Sequence, residues 1–289
     1  MGGASGGRTG SGNGGQTGGG QGGFIGGGQG GFVGGGQGGF VGGGQGGFVG
    51  GGQGGSITGG AGSIVSGCPR SVPLIDDFDE PNRGGPPTGG YFNVNCGVGS
   101  WYVYGDGTAG ATVTPPAGTP FTSSMPGNGG TGYAAHVNGS AFADFGFGFG
   151  VNINTTSMTA VMPYNATGYS GISFSIMGTA TSTDGANMLR VSIPTPSTSS
   201  LGSGGTCVPA AGAYCDGHWG KVIPITGAWT KVTILFSELT KDPTAAGAPF
   251  SSSTIIGVHW QAGAKAATAT TPAVVAAMNV WVDDLAFVP

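Results

Sequence analysis

From Ser100 onward the chain alternates. In Trp101-Tyr102-Val103-Tyr104, Leu189-Arg190-Val191-Ser192-Ile193 and Ile256-Gly257-Val258-His259-Trp260-Gln261, apolar residues recur at every second position. Successive side chains of a strand point to opposite faces, so a period of two predicts half-buried strands. Runs of this kind, punctuated by Gly, Pro, Asn and Ser, predict nine strands: 100–104, 132–138, 145–152, 171–178, 188–194, 221–224, 230–236, 255–261 and 279–288. Residues 237–239 and their neighbours read as one short helical turn, and no segment carries the period of a long amphipathic helix. The pattern predicts an all-β fold, a two-sheet jelly-roll β-sandwich.

The same parity separates core from outer face. The aliphatic residues and Trp101 and Trp260 turn inward, which leaves Tyr102, Tyr104, Arg190, Ser192, His259 and Gln261 outward. His136, between Ala135 and Val137, is outward by the same rule. Tyr, His, Arg and Gln on one side of a sandwich suit a hydroxyl-rich ligand. Aromatic faces cover C–H surfaces, and planar polar groups bond hydroxyls. Trp219 stands beside His218 in a loop and reads either as a platform at the rim of such a site or as a ring packed under the loop.

The first sixty residues are a different material. They hold 35 of the 69 Gly, and Arg8 is their only charge. Phe24, Phe32, Phe40 and Phe48 recur every eight residues, as do Gln21, Gln29, Gln37, Gln45 and Gln53, in a repeat of the form GQGGFVGG. So little apolar surface does not offset the chain entropy of Gly, so residues 1–66 are expected to be a disordered linker or stalk. The Phe side chains on it give a route to weak self-association. Residues 67–289 are expected to form the sandwich. The many GxGxxG matches in the repeat follow no strand and open no helix, so they carry no nucleotide-binding signal.

Charge excludes some partners. Twelve acids against eight bases, with no basic cluster, do not fit nucleic acid. No apolar run is long enough for a membrane span. The start of the chain carries no recognisable signal peptide, and a truncated or processed N-terminus is expected.

The four cysteines are Cys68, Cys96, Cys207 and Cys215, none in a C-x-x-C pair. Cys207 and Cys215 bracket a loop and are expected to pair, leaving Cys68 with Cys96. Four cysteines allow three connectivities, and the sequence does not exclude the other two. Disulfides imply an oxidising, extracellular compartment.

Six of the twelve acids lie at the two ends of the expected sandwich, in Ile75-Asp76-Asp77-Phe78-Asp79-Glu80 and Trp281-Val282-Asp283-Asp284-Leu285. Terminal strands that lie side by side would bring these carboxylates together, and a structural Ca²⁺ would relieve the repulsion. The plainer reading is solvated strand ends and turn residues. A glycosidase needs two carboxyl groups across a cleft. Neither Glu80 nor Glu238 has such a setting, the three His are not at metal-ligand spacing, and G-x-S-x-G is absent from residues 67–289. The expectation is a non-enzyme.

The runs Leu74-Ile75-Asp76-Asp77-Phe78-Asp79, Gly99-Ser100-Trp101-Tyr102-Val103-Tyr104-Gly105-Asp106-Gly107, Tyr169-Ser170-Gly171-Ile172-Ser173-Phe174 and Trp281-Val282-Asp283-Asp284-Leu285 resemble galactose-binding-like jelly-roll carbohydrate-binding modules. The resemblance is to the family 11 type and its relatives in secreted bacterial, notably myxobacterial, proteins, and covers about residues 73–289. It implies a concave sheet face that binds β-glucan chains, with Tyr102, Tyr104, His136, Arg190 and His259 on it. It also implies Ca²⁺ near Asp77, Asp79, Asp283 and Asp284. The leading expectation is therefore a secreted, non-catalytic polysaccharide-binding module on a Gly-rich stalk. The alternatives are an adhesive surface protein whose repeat is the interacting part, and a fragment of a glycoside hydrolase.

Overall fold

The computed structural model describes residues 73–78, 91–94, 97–119, 121, 123–157, 160–265, 267–268, 270 and 273–289. The segment 1–66, Cys68, Cys96 and Asp79 lie outside the described residues. The described residues form sixteen strands. In chain order the first eight are β1 Leu74–Asp76, β2 Tyr91–Val94, β3 Gly97–Gly105, β4 Thr112–Thr114, β5 Ser123–Ser124, β6 Ala134–Phe142, β7 Gly146–Asn152 and β8 Thr155–Ser157. The rest are β9 Ala160–Val161, β10 Gly171–Ser182, β11 Gly185–Ala186, β12 Met188–Ile193, β13 Trp219–Pro224, β14 Thr230–Leu235, β15 Gly257–Gly263 and β16 Ala276–Val288.

They make a jelly-roll sandwich of two antiparallel sheets. The larger sheet runs β11-β10-β16-β6-β4, with β14 also on β10, β1 on β16 and β5 on β6. The smaller runs β13-β12-β15-β7-β3-β2, and β8 and β9 form a separate ribbon. Among the described residues no helix is long and apolar enough to cross a membrane.

Alternation builds the core. Phe147, Phe149 and Val151 point inward from β7, Ile172, Phe174 and Ile176 from β10, and Val280 and Val282 from β16. Burying a side chain of this size contributes about 1.5–3 kcal/mol. Trp260 joins the layers: its ring centroid lies 5.7 Å from Trp101 and 5.3 Å from Phe149, both stacked, and 5.3 Å from Phe174, edge-on. Asp76, only 3% exposed, sits at the edge of this core. It accepts from Trp101 Nε1 at 2.8 Å and Phe78 N at 2.9 Å, so the first acid of the opening cluster anchors the entry strand to the core.

All nine predicted strands occur, and the turn predicted at 237–239 is a 3₁₀ turn at Phe236–Glu238. The ends differ where Gly and Ala blur the period. β10 runs on to Ser182, β16 starts at Ala276, and β15 starts at Gly257 rather than 255. The two- to four-residue strands β1, β2, β4, β5, β8, β9 and β11 are too short to alternate legibly.

Candidate functional site

The antiparallel pairing of the smaller sheet sets two rows across its outer face. Tyr102 on β3 faces Gly150 on β7, then His259 on β15, then Ser192 on β12. One step along, Tyr104 faces Gly148, then Gln261, then Arg190. The middle strand thus contributes glycine at both outward positions. A Cβ at Gly148 would sit 2.5 Å from the Tyr104 hydroxyl, and one at Gly150 would sit 2.5 Å from His259 Cδ2. The two rings lie over the bare backbone of β7, and no larger residue leaves them room. Across the strip the Tyr102 hydroxyl is hydrogen-bonded to His259 Nε2. Ring centroids lie 5.6 Å apart for Tyr102 and His259, edge-on, and 5.4 Å apart for Tyr104 and His259.

Loops 194–218 and 240–250 roof part of this face. The Cys207–Cys215 disulfide, with Cα atoms 5.9 Å apart, closes the first. His218, 8% exposed, bonds through Nδ1 to Thr198 Oγ1 at 2.9 Å, and its ring lies 5.2 Å from His259. Asp216 takes a left-handed backbone (φ 67°) and accepts from Ser200 N at 2.9 Å. Arg190 Nη2 donates to the carbonyls of His218 at 3.2 Å and Thr240 at 3.0 Å, tying both loops to the sheet.

Burial decides the charge states. It pushes the His218 imidazole down to about 3, helped by the Arg190 guanidinium, and lowers His259 well below its usual value, helped by His218. Burial raises the Tyr102 and Tyr104 hydroxyls, with Tyr104 and Asp216 adding to the first and Asp216 to the second. It also raises Asp216, against the hydrogen bonds from Ser200. At neutral pH both imidazoles are uncharged and both phenols protonated. Such a face exchanges hydrogen bonds with neutral hydroxyls and has no imidazole poised for proton transfer near pH 7.

No family model and no curated protein matches the chain. Solved structures do. The family 11 carbohydrate-binding module of a cellulosomal cellulase of Clostridium thermocellum is 17% identical over 74% of this chain and 92% of its own, with a TM-score of 0.39. The module of the same family and organism in complex with a β-1,3-1,4-mixed-linked tetrasaccharide gives 17%, 74%, 94% and 0.40. A module of family 28, specific for non-crystalline cellulose, is 13% identical over 75% of this chain and 100% of its own, with a TM-score of 0.25. The chain is similar to carbohydrate-binding modules. None of these likenesses reaches a TM-score of 0.5, so the reading of the face rests on this chain's own side chains.

The structure brings Tyr102, Tyr104, Arg190, His259 and Gln261 onto one face, as the parity predicts, and changes four particulars. Tyr104 is only 6% exposed, because its ring lies on Gly148 under neighbouring groups. Arg190 is engaged with backbone carbonyls, as above. Trp219 packs under the loop: Nε1 donates to Ala248 O at 3.3 Å, Lys241 Nζ sits 5.9 Å from the ring centroid, and Phe250 meets it edge-on at 6.3 Å. His136 is on the other sheet, on β6, stacked on Trp281 at 3.9 Å and bonded to Asn279 Oδ1 at 2.7 Å. Alternation tells which side of a strand a residue takes, not which sheet the strand joins. Gly148, Gly150, Asp216 and His218 were missed as site residues. The signal was present in the strict Gly-Phe-Gly-Phe-Gly of 146–150 and in the Asp and His that follow Cys215.

Among the described residues no three His, Cys, Asp or Glu side chains converge. Asp283, 4% exposed, accepts from Asn128 N and Asp284 N, each at 2.8 Å, and Asp284 accepts from Asn128 Nδ2 at 2.8 Å and Ser175 Oγ at 3.1 Å. Three of these four carboxylate oxygens are taken up by N–H and O–H donors. Asp77 does not join them in such a group, and Asp79 lies outside the described residues.

Proposed function

We propose that the outer face of the smaller sheet binds a polysaccharide without cleaving it, and that the ligand is a β-glucan-like chain. The observation that supports this most is the pair of rows over the glycine strip, which sets Tyr102, His259 and Gln261 side by side as uncharged, half-buried hydrogen-bonding groups. Sugar hydroxyls are neutral and dense, and a site of neutral donors and acceptors beside aromatic rings matches them. Glu238 does not point to a hydrolase. Its carboxylate is committed to Lys221 Nζ at 2.7 Å and Leu235 N at 2.9 Å, on the surface. The Cys207–Cys215 disulfide supports an extracellular setting. Affinity electrophoresis of the full chain through gels containing mixed-linked β-glucan, cellulose derivatives, xylan, mannan or chitin derivatives tests the reading. Retardation by a β-glucan is expected, with no reducing ends released on incubation. Unretarded migration in every gel would overturn the proposal, and release of reducing ends would replace it with a hydrolase.

A further inference from the structure

The larger sheet carries a groove of mixed polar and apolar lining on the opposite outer face. It is open to solvent, holds about 520 Å³, and is lined by Asn128, Ser175, Trp229, Lys231 and Asp284 beside apolar side chains from β1 and β16. That volume lies within the ~300–1,000 Å³ typical of small-molecule sites. The strand register builds it. Between Ser173↔Ala286 and Ser175↔Asp283, β16 has one residue more than β10, and its pairing with β1 is irregular at the same place. The bulge turns two consecutive acids to the outer side. Asp283 stays buried and holds the Asn128 backbone N–H, as described. Asp284, exposed and with a left-handed backbone (φ 53°), aims its carboxylate at the groove. Bulges and left-handed non-glycine residues of this kind re-aim side chains and gather at functional sites.

Asn128 Nδ2 and Ser175 Oγ both bond Asp284 Oδ2, and Asn128 Nδ2 also reaches Ser175 Oγ at 3.1 Å. This triangle fixes the carboxylate and the amide. Asp284 Oδ1 and Asn128 Oδ1 stay uncommitted among the described residues. Lys231, which pairs across the ladder with Ser175, is exposed and forms no ion pair among the described residues. Trp229 is half-buried and stands apart from the buried core. Two fixed acceptors, one cationic donor and one indole therefore line a single groove.

We infer that this groove is a second saccharide site, which takes one pyranose unit or a chain end. Two adjacent ring hydroxyls would donate to Asp284 Oδ1 and Asn128 Oδ1, Lys231 would donate to a ring or hydroxyl oxygen, and the indole of Trp229 would cover the apolar C–H face. The site uses none of the residues of the smaller sheet, so it stands or falls independently of the β-glucan proposal.

The test is NMR titration of the ¹⁵N-labelled full chain with D-glucose, D-galactose, D-mannose and D-xylose in turn. At least one sugar is expected to shift both the Trp229 indole N–H and the Asn128 side-chain amide. Asp284→Asn is expected to weaken that sugar roughly tenfold or more, as loss of a charged acceptor does. Asparagine tolerates the same left-handed backbone, so this variant should fold. Trp229→Ala should weaken binding as well, while Tyr102→Ala should leave these shifts in place. The inference is overturned if no sugar moves the two signals, or if Asp284→Asn and Trp229→Ala both bind as the wild type does.

Discussion

Two buried imidazoles contribute to the acid response of the protein. His218 and His259 have folded-state values depressed below the ordinary histidine value, so the folded state stays neutral where the unfolded chain takes up protons. Their contribution to stability is therefore fully present above about pH 6.5 and falls as the pH drops toward the folded value, about 3 for His218. The slope should approach about 1.4 kcal/mol per pH unit for each residue. Urea melts between neutral pH and the mildly acidic range should show the loss, and His218→Gln should flatten the curve. A curve of the same slope in the variant would contradict the burial argument. Gly148→Ala probes the same face from below. A methyl group there would sit 2.4 Å from Trp260 O and 2.5 Å from the Tyr104 hydroxyl, so the strand or the ring must move. A loss of about 1–3 kcal/mol is expected, as for overpacking elsewhere. Wild-type stability would mean that Tyr104 does not lie on the glycine strip.

At the scale of elements, the long strands were legible because one face of each packs on the other sheet, which forces a period of two. The site was legible only in part. Parity placed Tyr102, Tyr104, His259 and Gln261 correctly, because ladder register and side-chain direction are coupled. It could not foresee that loop 194–218 folds back over them, since nothing local to β3 or β15 records where a distant loop docks. It could not assign His136 to the larger sheet, since strand order is a long-range property. The disulfide was readable from spacing, and its role in the roof was not. Replacing Cys207 and Cys215 together by Ser frees a loop of eight-residue separation, which should cost about 2–3 kcal/mol by chain entropy. Amide exchange should then quicken in 198–218 and stay slow in β7 and β15. Equal loss of protection in both would mean that the loop and the sheet unfold as one unit.

For the whole molecule, the two sheets share one core and turn two chemically distinct faces outward. The calcium expected near Asp77, Asp79, Asp283 and Asp284 has a simple test: if it is bound, excess chelator should lower the melting temperature. An unchanged melting curve in metal-free protein would remove the site. Polysaccharide binding, in this reading, belongs to the neutral, aromatic-lined rows over the glycine strip. Isothermal titration of soluble mixed-linked β-glucan into the full chain and into Tyr102→Ala tests it most directly. Removing an aromatic anchor from a small binding face costs on the order of 1–3 kcal/mol, so the variant should bind roughly 5- to 150-fold more weakly. Wild-type affinity in Tyr102→Ala, or no heat from the wild type, would contradict the account.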